Sequence, residues 1–156
     1  MNAGGACHSF FISIGSNLHP QKYIPACLEI LKNEFKVKKI SSIYETEPVG
    51  SSGPNLFWNL AVEIETPLDP ENLIQKLREI EARLGRNRDP QDKFAARTLD
   101  LDLLPQKDYQ RQAFMMIPLA EISPDAMDEA SGKSFQELAE GLKSEGNFFR
   151  VVGQTG

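Results

Sequence analysis

The stretch Arg97-Thr98-Leu99-Asp100-Leu101-Asp102-Leu103-Leu104 constrains the fold more than any other part of this chain. Apolar and acidic residues alternate in it with period two, the periodicity of a strand with one buried face. Successive side chains in a strand point to opposite faces. Asp100 and Asp102 therefore share one face, and Leu99, Leu101 and Leu103 share the other. At a rise of about 3.3 Å per residue, the two acidic positions lie roughly 6–7 Å apart. Like charges that close repel unless a cation lies between them. Mg²⁺ takes one or two protein carboxylates, keeps several waters and completes its shell with substrate phosphates. With Arg97 just upstream, the Asp-x-Asp strand reads as a metal–phosphate site. An amphipathic edge strand with a wet face is the plainer alternative.

The rest of the chain supplies partners for such a strand. Phe10 to Ile14 is a short apolar run that ends at Gly15-Ser16-Asn17, a strand followed by a turn. Ile24, Leu28, Leu31 and Phe35 recur at helical spacing, with Pro20 or Pro25 near the first turn. Val37 to Tyr44 reads as one strand, and Glu45 to Leu56, rich in Pro, Gly and Ser, as a long loop. In Phe57 to Glu65, Trp58, Leu60, Val62 and Ile64 share one face and Phe57, Asn59, Ala61 and Glu63 the other. Asp69 as N-cap and Pro70 at the first position open a helix lined by Leu73, Leu77, Ile80 and Leu84 and closed by Gly85. The order β-α-β-β-α-β predicts an α+β fold with a ferredoxin-like core. A C-terminal extension follows: a buried helix over Ala113 to Ile122, a helix to Leu142 opened by the Ser134/Glu137 capping box, and a last strand from Phe148 to Val152.

At 156 residues the chain reads as a single domain, 1–156, with its core in about 10–125. A net charge of −5 argues against a nucleic-acid-binding surface, yet the segment from Arg83 to Arg97 carries five basic residues against two acidic ones. A basic segment on an acidic protein points to a local anion partner. Cys7 and Cys27 make no disulfide framework, and neither they nor His8 and His19 have metal-ligand spacing. There is no basic n-region, and the apolar run at Phe10 is too short for a signal sequence or a membrane span, so a cytoplasmic location is the default.

No Walker A sequence and no protein-kinase motif set is present. Nucleotide phosphates would then be held by metal together with Arg97, Arg88, Arg86 and Lys93, arginine being suited to bidentate phosphate contacts. At this point several segments together carry a resemblance: Ile12 to Leu18, Tyr44-Glu45-Thr46-Glu47-Pro48-Val49-Gly50, Phe57 to Val62, Glu81 through Arg86, and Ala96 to Asp102. Phe114-Met115 and Pro118 to Ile122 extend it. The chain resembles the 6-hydroxymethyl-7,8-dihydropterin pyrophosphokinase family over roughly residues 10 to 125.

That resemblance implies transfer of the diphosphate of ATP to the pterin hydroxymethyl oxygen, leaving AMP, in folate biosynthesis. It implies two Mg²⁺ ions held by the residues matching Asp100 and Asp102. It places Arg97, Arg86 and Lys93 in the catalytic set and Arg78, Glu81, Arg88, Phe94, Arg97, Thr98, Gln106 and Arg111 around ATP. For the pterin it implies Asn59 at the ring edge, Phe57 and Phe114 on the ring faces, and Thr46, Pro48 and Val49 in the pocket wall. The partners implied are the two small molecules, with neither nucleic acid nor membrane, and a monomer.

The chain also departs from the family pattern. The hairpin that normally follows the Asp-x-Asp strand is missing, since Leu104 passes straight to Pro105. Gln106 stands at a histidine position, Phe94 at the lid tryptophan, and Arg111 lies one step from an expected arginine replaced by Gln112. Weakened nucleotide binding is the expected consequence. A non-catalytic pterin- or nucleotide-binding relative is therefore the rival reading. An RNA-binding module on the same sheet is disfavoured by the acidic charge and the lack of an aromatic RNP signature.

Overall fold

A computed structural model describes residues 6–46, 57–85, 99–143 and 149–154. The βαββαβ order is present: β1 (His8–Ser16), α1 (Pro20–Glu34), β2 (Lys36–Ile40), β3 (Ser42–Thr46), β4 (Phe57–Thr66), α2 (Pro70–Arg83) and β5 (Asp100–Leu103). Then come a 3₁₀ turn (Tyr109–Arg111), α3 (Ala113–Ile122), a two-strand hairpin of β6 (Met127–Asp128) and β7 (Lys133–Ser134), α4 (Phe135–Lys143) and β8 (Phe149–Gln154). The main sheet runs β5-β1-β4-β3-β8, with β2 also on β4, and every pairing is antiparallel.

The two faces of the sheet are covered by different helices. Ile12, Ile14, Leu60, Val62, Ile64, Leu101 and Leu103 pack with Ile24, Cys27, Leu28 and Leu31 of α1 and Leu73, Leu77 and Ile80 of α2. Burial, with the Glu81 charge nearby, pushes the Cys27 thiol up to about 12, so it behaves as a small apolar side chain. On the other face Ala61, Phe11 and Tyr44 pack with α3 and α4. Thus β4 is apolar on one face from Trp58 to Ile64 and mixed on the other.

Two local readings are corrected. The single strand expected from Val37 to Tyr44 is two strands, parted at Ser41. The buried Ser41 hydroxyl accepts from the Ala61 amide at 2.9 Å and donates to the Ser42 carbonyl at 2.7 Å, replacing a ladder bond where the register breaks. The turn expected at Gly15 is instead strand, because β1 runs on to Ser16 and pairs with β4 and β5. The capping signals hold: Asp69 accepts from the Asn72 amide at 2.8 Å, and Ser134 and Glu137 exchange bonds of 3.0 and 3.1 Å.

Asp128 ties the C-terminal layer together. Its carboxylate accepts from the Tyr109 hydroxyl at 3.0 Å and from the Ser131 amide at 2.9 Å. The bonds from Ser131, with Tyr109 adding to them, hold the Asp128 carboxyl below its usual range, and burial pushes the Tyr109 phenol up to about 12. A carboxyl depressed on folding stabilises above its unfolded pKa, and that stability is lost as pH falls through the folded value. Asp128→Asn is expected to cost about 1–3 kcal/mol at neutral pH and to flatten the acid limb of a plot of melting temperature against pH.

Candidate functional site

The site is built on the sheet face that carries α3. In register, Asp100 of β5 lies across from Gly15 of β1, Gly15 from Asn59 of β4, and Asn59 from Tyr44 of β3. Directly opposed residues of an antiparallel pair lie about 4.5–5.5 Å apart, so this row crosses four strands in a short span. Asp102 lies across from Ser13, one step along, and Phe57 lies across from Thr46. Asp100 and Asp102 are half-buried, as is Phe57, while Asn59 is only 3% exposed. The Asp pair therefore faces the same side as Asn59 and Phe57, as the strand alternation requires.

Gly15 makes this row possible. A Cβ there would stand 2.9 Å from the Asn59 Oδ1 and 3.8 Å from the Phe57 ring. A glycine inside a strand often marks a close approach by another group. Here the group is the Asn59 carboxamide, laid over the β1 backbone.

Helix α3 packs over β4 and β3 on this face, and its first turn carries the half-buried Phe114. Glu121, near its other end, accepts from the Ser42 amide at 3.0 Å, from the Ser42 hydroxyl at 3.0 Å and from the Tyr44 hydroxyl at 2.6 Å. Burial, together with the charge of its Glu121 partner, pushes the Tyr44 phenol well up, so it remains a donor. This latch fixes α3, and with it Phe114, to the strands that bear Asn59 and Phe57. Sequence reasoning missed Gly15, Tyr44 and Glu121; a glycine in the interior of an apolar strand was the available signal for the first.

Two residues expected on the nucleotide side, Arg78 and Glu81, bond to the backbone of β5. Glu81 is 1% exposed, and its Oε2 accepts from the Leu101 amide at 2.7 Å and from Arg78 Nη1 at 3.1 Å. The same Arg78 nitrogen donates to the Leu101 carbonyl at 2.7 Å. The pair thus grips the backbone of β5 between the two aspartates, and the Glu81 carboxylate is turned inward. Gln106 donates to the Leu103 carbonyl at 3.0 Å, and Arg111 lies exposed in the 3₁₀ turn. No strand hairpin intervenes between Leu104 and α3. Arg86, Arg88, Lys93, Phe94, Arg97, Thr98, Pro48 and Val49 lie outside the described residues, and of Thr46 only the backbone is described.

Among the described residues no group of three His, Cys, Asp or Glu is arranged to hold a metal ion. Two carboxylates on one half-buried face offer oxygen donors and leave most of a coordination shell to water and ligand. That donor set fits a hard cation such as Mg²⁺ and does not fit a closed structural zinc site. No helix among the described residues is long and apolar enough to cross a membrane.

An aspartate pair, a buried carboxamide and aromatic side chains thus lie on one face of an antiparallel α+β sheet. The sequence model of the 7,8-dihydro-6-hydroxymethylpterin-pyrophosphokinase family matches residues 11–124. A 2-amino-4-hydroxy-6-hydroxymethyldihydropteridine pyrophosphokinase of Bacillus subtilis is 35% identical over 138 residues, 78% of this chain and 81% of the relative. Proteins of the same name from Synechocystis and Pseudomonas aeruginosa are 33% and 31% identical, over 86% and 87% of this chain and 76% and 93% of their own lengths. The chain belongs to the hydroxymethylpterin pyrophosphokinase family.

Proposed function

We propose that this chain transfers the diphosphate of ATP to 6-hydroxymethyl-7,8-dihydropterin, giving AMP and the pterin diphosphate, in cytoplasmic folate biosynthesis. The observation that carries the reading is the row Asp100–Gly15–Asn59, which sets a candidate cation site beside a buried amide on one sheet face. Asn59 offers both a donor and an acceptor to a heterocycle edge. Phe57 from the sheet and Phe114 from α3 cover the ring faces, with Thr46, Pro48 and Val49 in the wall. Arg97, Arg86 and Lys93 hold the phosphates to be transferred, and Arg88, Phe94, Thr98, Gln106 and Arg111 lie around the nucleotide.

Asp100 and Asp102 would hold Mg²⁺, two ions by the family pattern, whose charge offsets that of the β- and γ-phosphates. The hydroxymethyl oxygen forms a bond to the β-phosphorus as the bond from that phosphorus to the αβ-bridging oxygen breaks. AMP leaves with the bridging oxygen, and the hydroxyl proton passes to water. Positioning and charge neutralisation carry such a transfer, so no strong general base is required.

The family match runs through the shortened segment after Leu104, and the Asp pair and Asn59 are kept, so a non-catalytic relative is not favoured. The chain acts as one domain and a monomer in this reading. Incubation with ATP, Mg²⁺ and the pterin should yield AMP and a pterin diphosphate identifiable by mass. Folded protein that binds the pterin yet forms no AMP would overturn the proposal.

A further inference from the structure

We propose that Arg78 and Glu81 are positioning residues for the Asp100/Asp102 pair, acting through the Leu101 backbone; the proposal rests on the reading of those aspartates as cation holders. The strand β5 is short and, among the described residues, lies at the edge of the sheet with β1 as its only strand neighbour. An edge strand of four residues has outward amide and carbonyl groups that water would otherwise solvate. At Leu101 both groups are taken instead by one ion pair from α2: the amide by Glu81 at 2.7 Å and the carbonyl by Arg78 at 2.7 Å. The ion pair takes the two groups that a neighbouring strand would otherwise take.

The Leu101 side chain is fully buried in the core that β5 shares with α2, so this residue is fixed by both its backbone and its side chain. Asp100 and Asp102 flank it and project to the opposite face. With the backbone between them held, their carboxylates keep one spacing whether or not a cation is bound. Without the grip, β5 samples other twists, and a cation must order the strand as it binds, which lowers affinity. Burying a carboxylate as deeply as Glu81 is costly unless it is well paired, and its bonds to Leu101 and Arg78 meet that condition.

Arg78 is 36% exposed at its side chain, so replacing it leaves the core intact. Mn²⁺, read by its paramagnetic signal, serves as the cation probe together with a non-hydrolysable ATP analogue. In Arg78→Met, Mn²⁺ affinity and kcat are expected to fall about tenfold or more, as when partners of metal ligands are removed. Exchange of the Leu101 amide should quicken, while pterin affinity stays unchanged. Arg78→Lys, which still donates to the carbonyl, should restore most of both losses. Glu81→Gln retains an acceptor for the Leu101 amide and should show a smaller loss than Arg78→Met.

Quicker Leu101 exchange with unchanged Mn²⁺ affinity would overturn the proposal in favour of a purely structural grip. A fall in affinity for the metal-free nucleotide alone would overturn it in favour of direct contact with ATP. Absence of AMP formation by the wild-type protein would sink the functional reading by itself, since Mn²⁺ binding and amide exchange are read without turnover. Asp100→Asn serves as the control that the Mn²⁺ signal reports the aspartate pair.

Discussion

Asp100→Asn and Asp102→Asn are each expected to lower AMP formation by roughly 10²–10³-fold, the usual size of losing one preorganised charge-stabilising group, while the fold stays intact. The reason lies in where the two side chains sit. Both are half-buried on the open face of β5, opposite the leucines that anchor the strand in the core. Asparagine keeps the shape and removes one charge, so the strand stays anchored by its leucines. What is lost is the pull on a divalent cation and on the phosphate charge it offsets; a thousandfold corresponds to about 4 kcal/mol. Initial rates against Mg²⁺ concentration, alongside thermal melts, measure both effects. Near-normal turnover in either variant would remove these aspartates from the reaction.

The second large effect is expected at a residue with no side chain. Gly15→Ala places a Cβ 2.9 Å from the Asn59 Oδ1, closer than real Cβ contacts come. Asn59 is 3% exposed and has little room to withdraw, so its carboxamide must turn. Misplacing a buried hydrogen-bonding group costs about 1–3 kcal/mol, or roughly ten- to a hundredfold in pterin affinity. Affinity for an ATP analogue should change far less. A calorimetric titration with the pterin measures the first effect, and the double variant with Asn59→Ala measures the mechanism. If Gly15→Ala acts through Asn59, it adds little once that side chain is gone. Full additivity would show that the glycine matters for another reason.

Much of this arrangement can be read from the sequence, and the exceptions are physical. The alternation in β4 and β5 places Asn59, Phe57, Asp100 and Asp102 correctly by face, because strand periodicity is a local property. The caps at Asp69 and Ser134 are equally local. The break at Ser41 is not, since it depends on a hydroxyl meeting the Ala61 backbone of another strand. Gly15 reads as a turn in the sequence because nothing beside it shows that Asn59 lies across from it. Glu81 falls four residues after Leu77, on the buried stripe of α2, and that spacing was the available hint that its carboxylate turns inward. The basic segment from Arg86 to Thr98, prominent in composition, lies outside the described residues, so its part in the site stands on sequence alone.

The grip on Leu101 also bears on how these molecules avoid one another. An unpaired strand edge is a template for adding a strand from a neighbouring chain, and proteins block such edges with charge or cover. Here the β5 edge is closed at its centre by an arginine and a glutamate, and β2 carries Lys36, Lys38 and Lys39 on the far side of the sheet. Among the described residues the opposite end of the sheet is β8, where Val151 is 52% exposed. Strand addition from a neighbouring chain is thereby disfavoured at the edge that bears the aspartates.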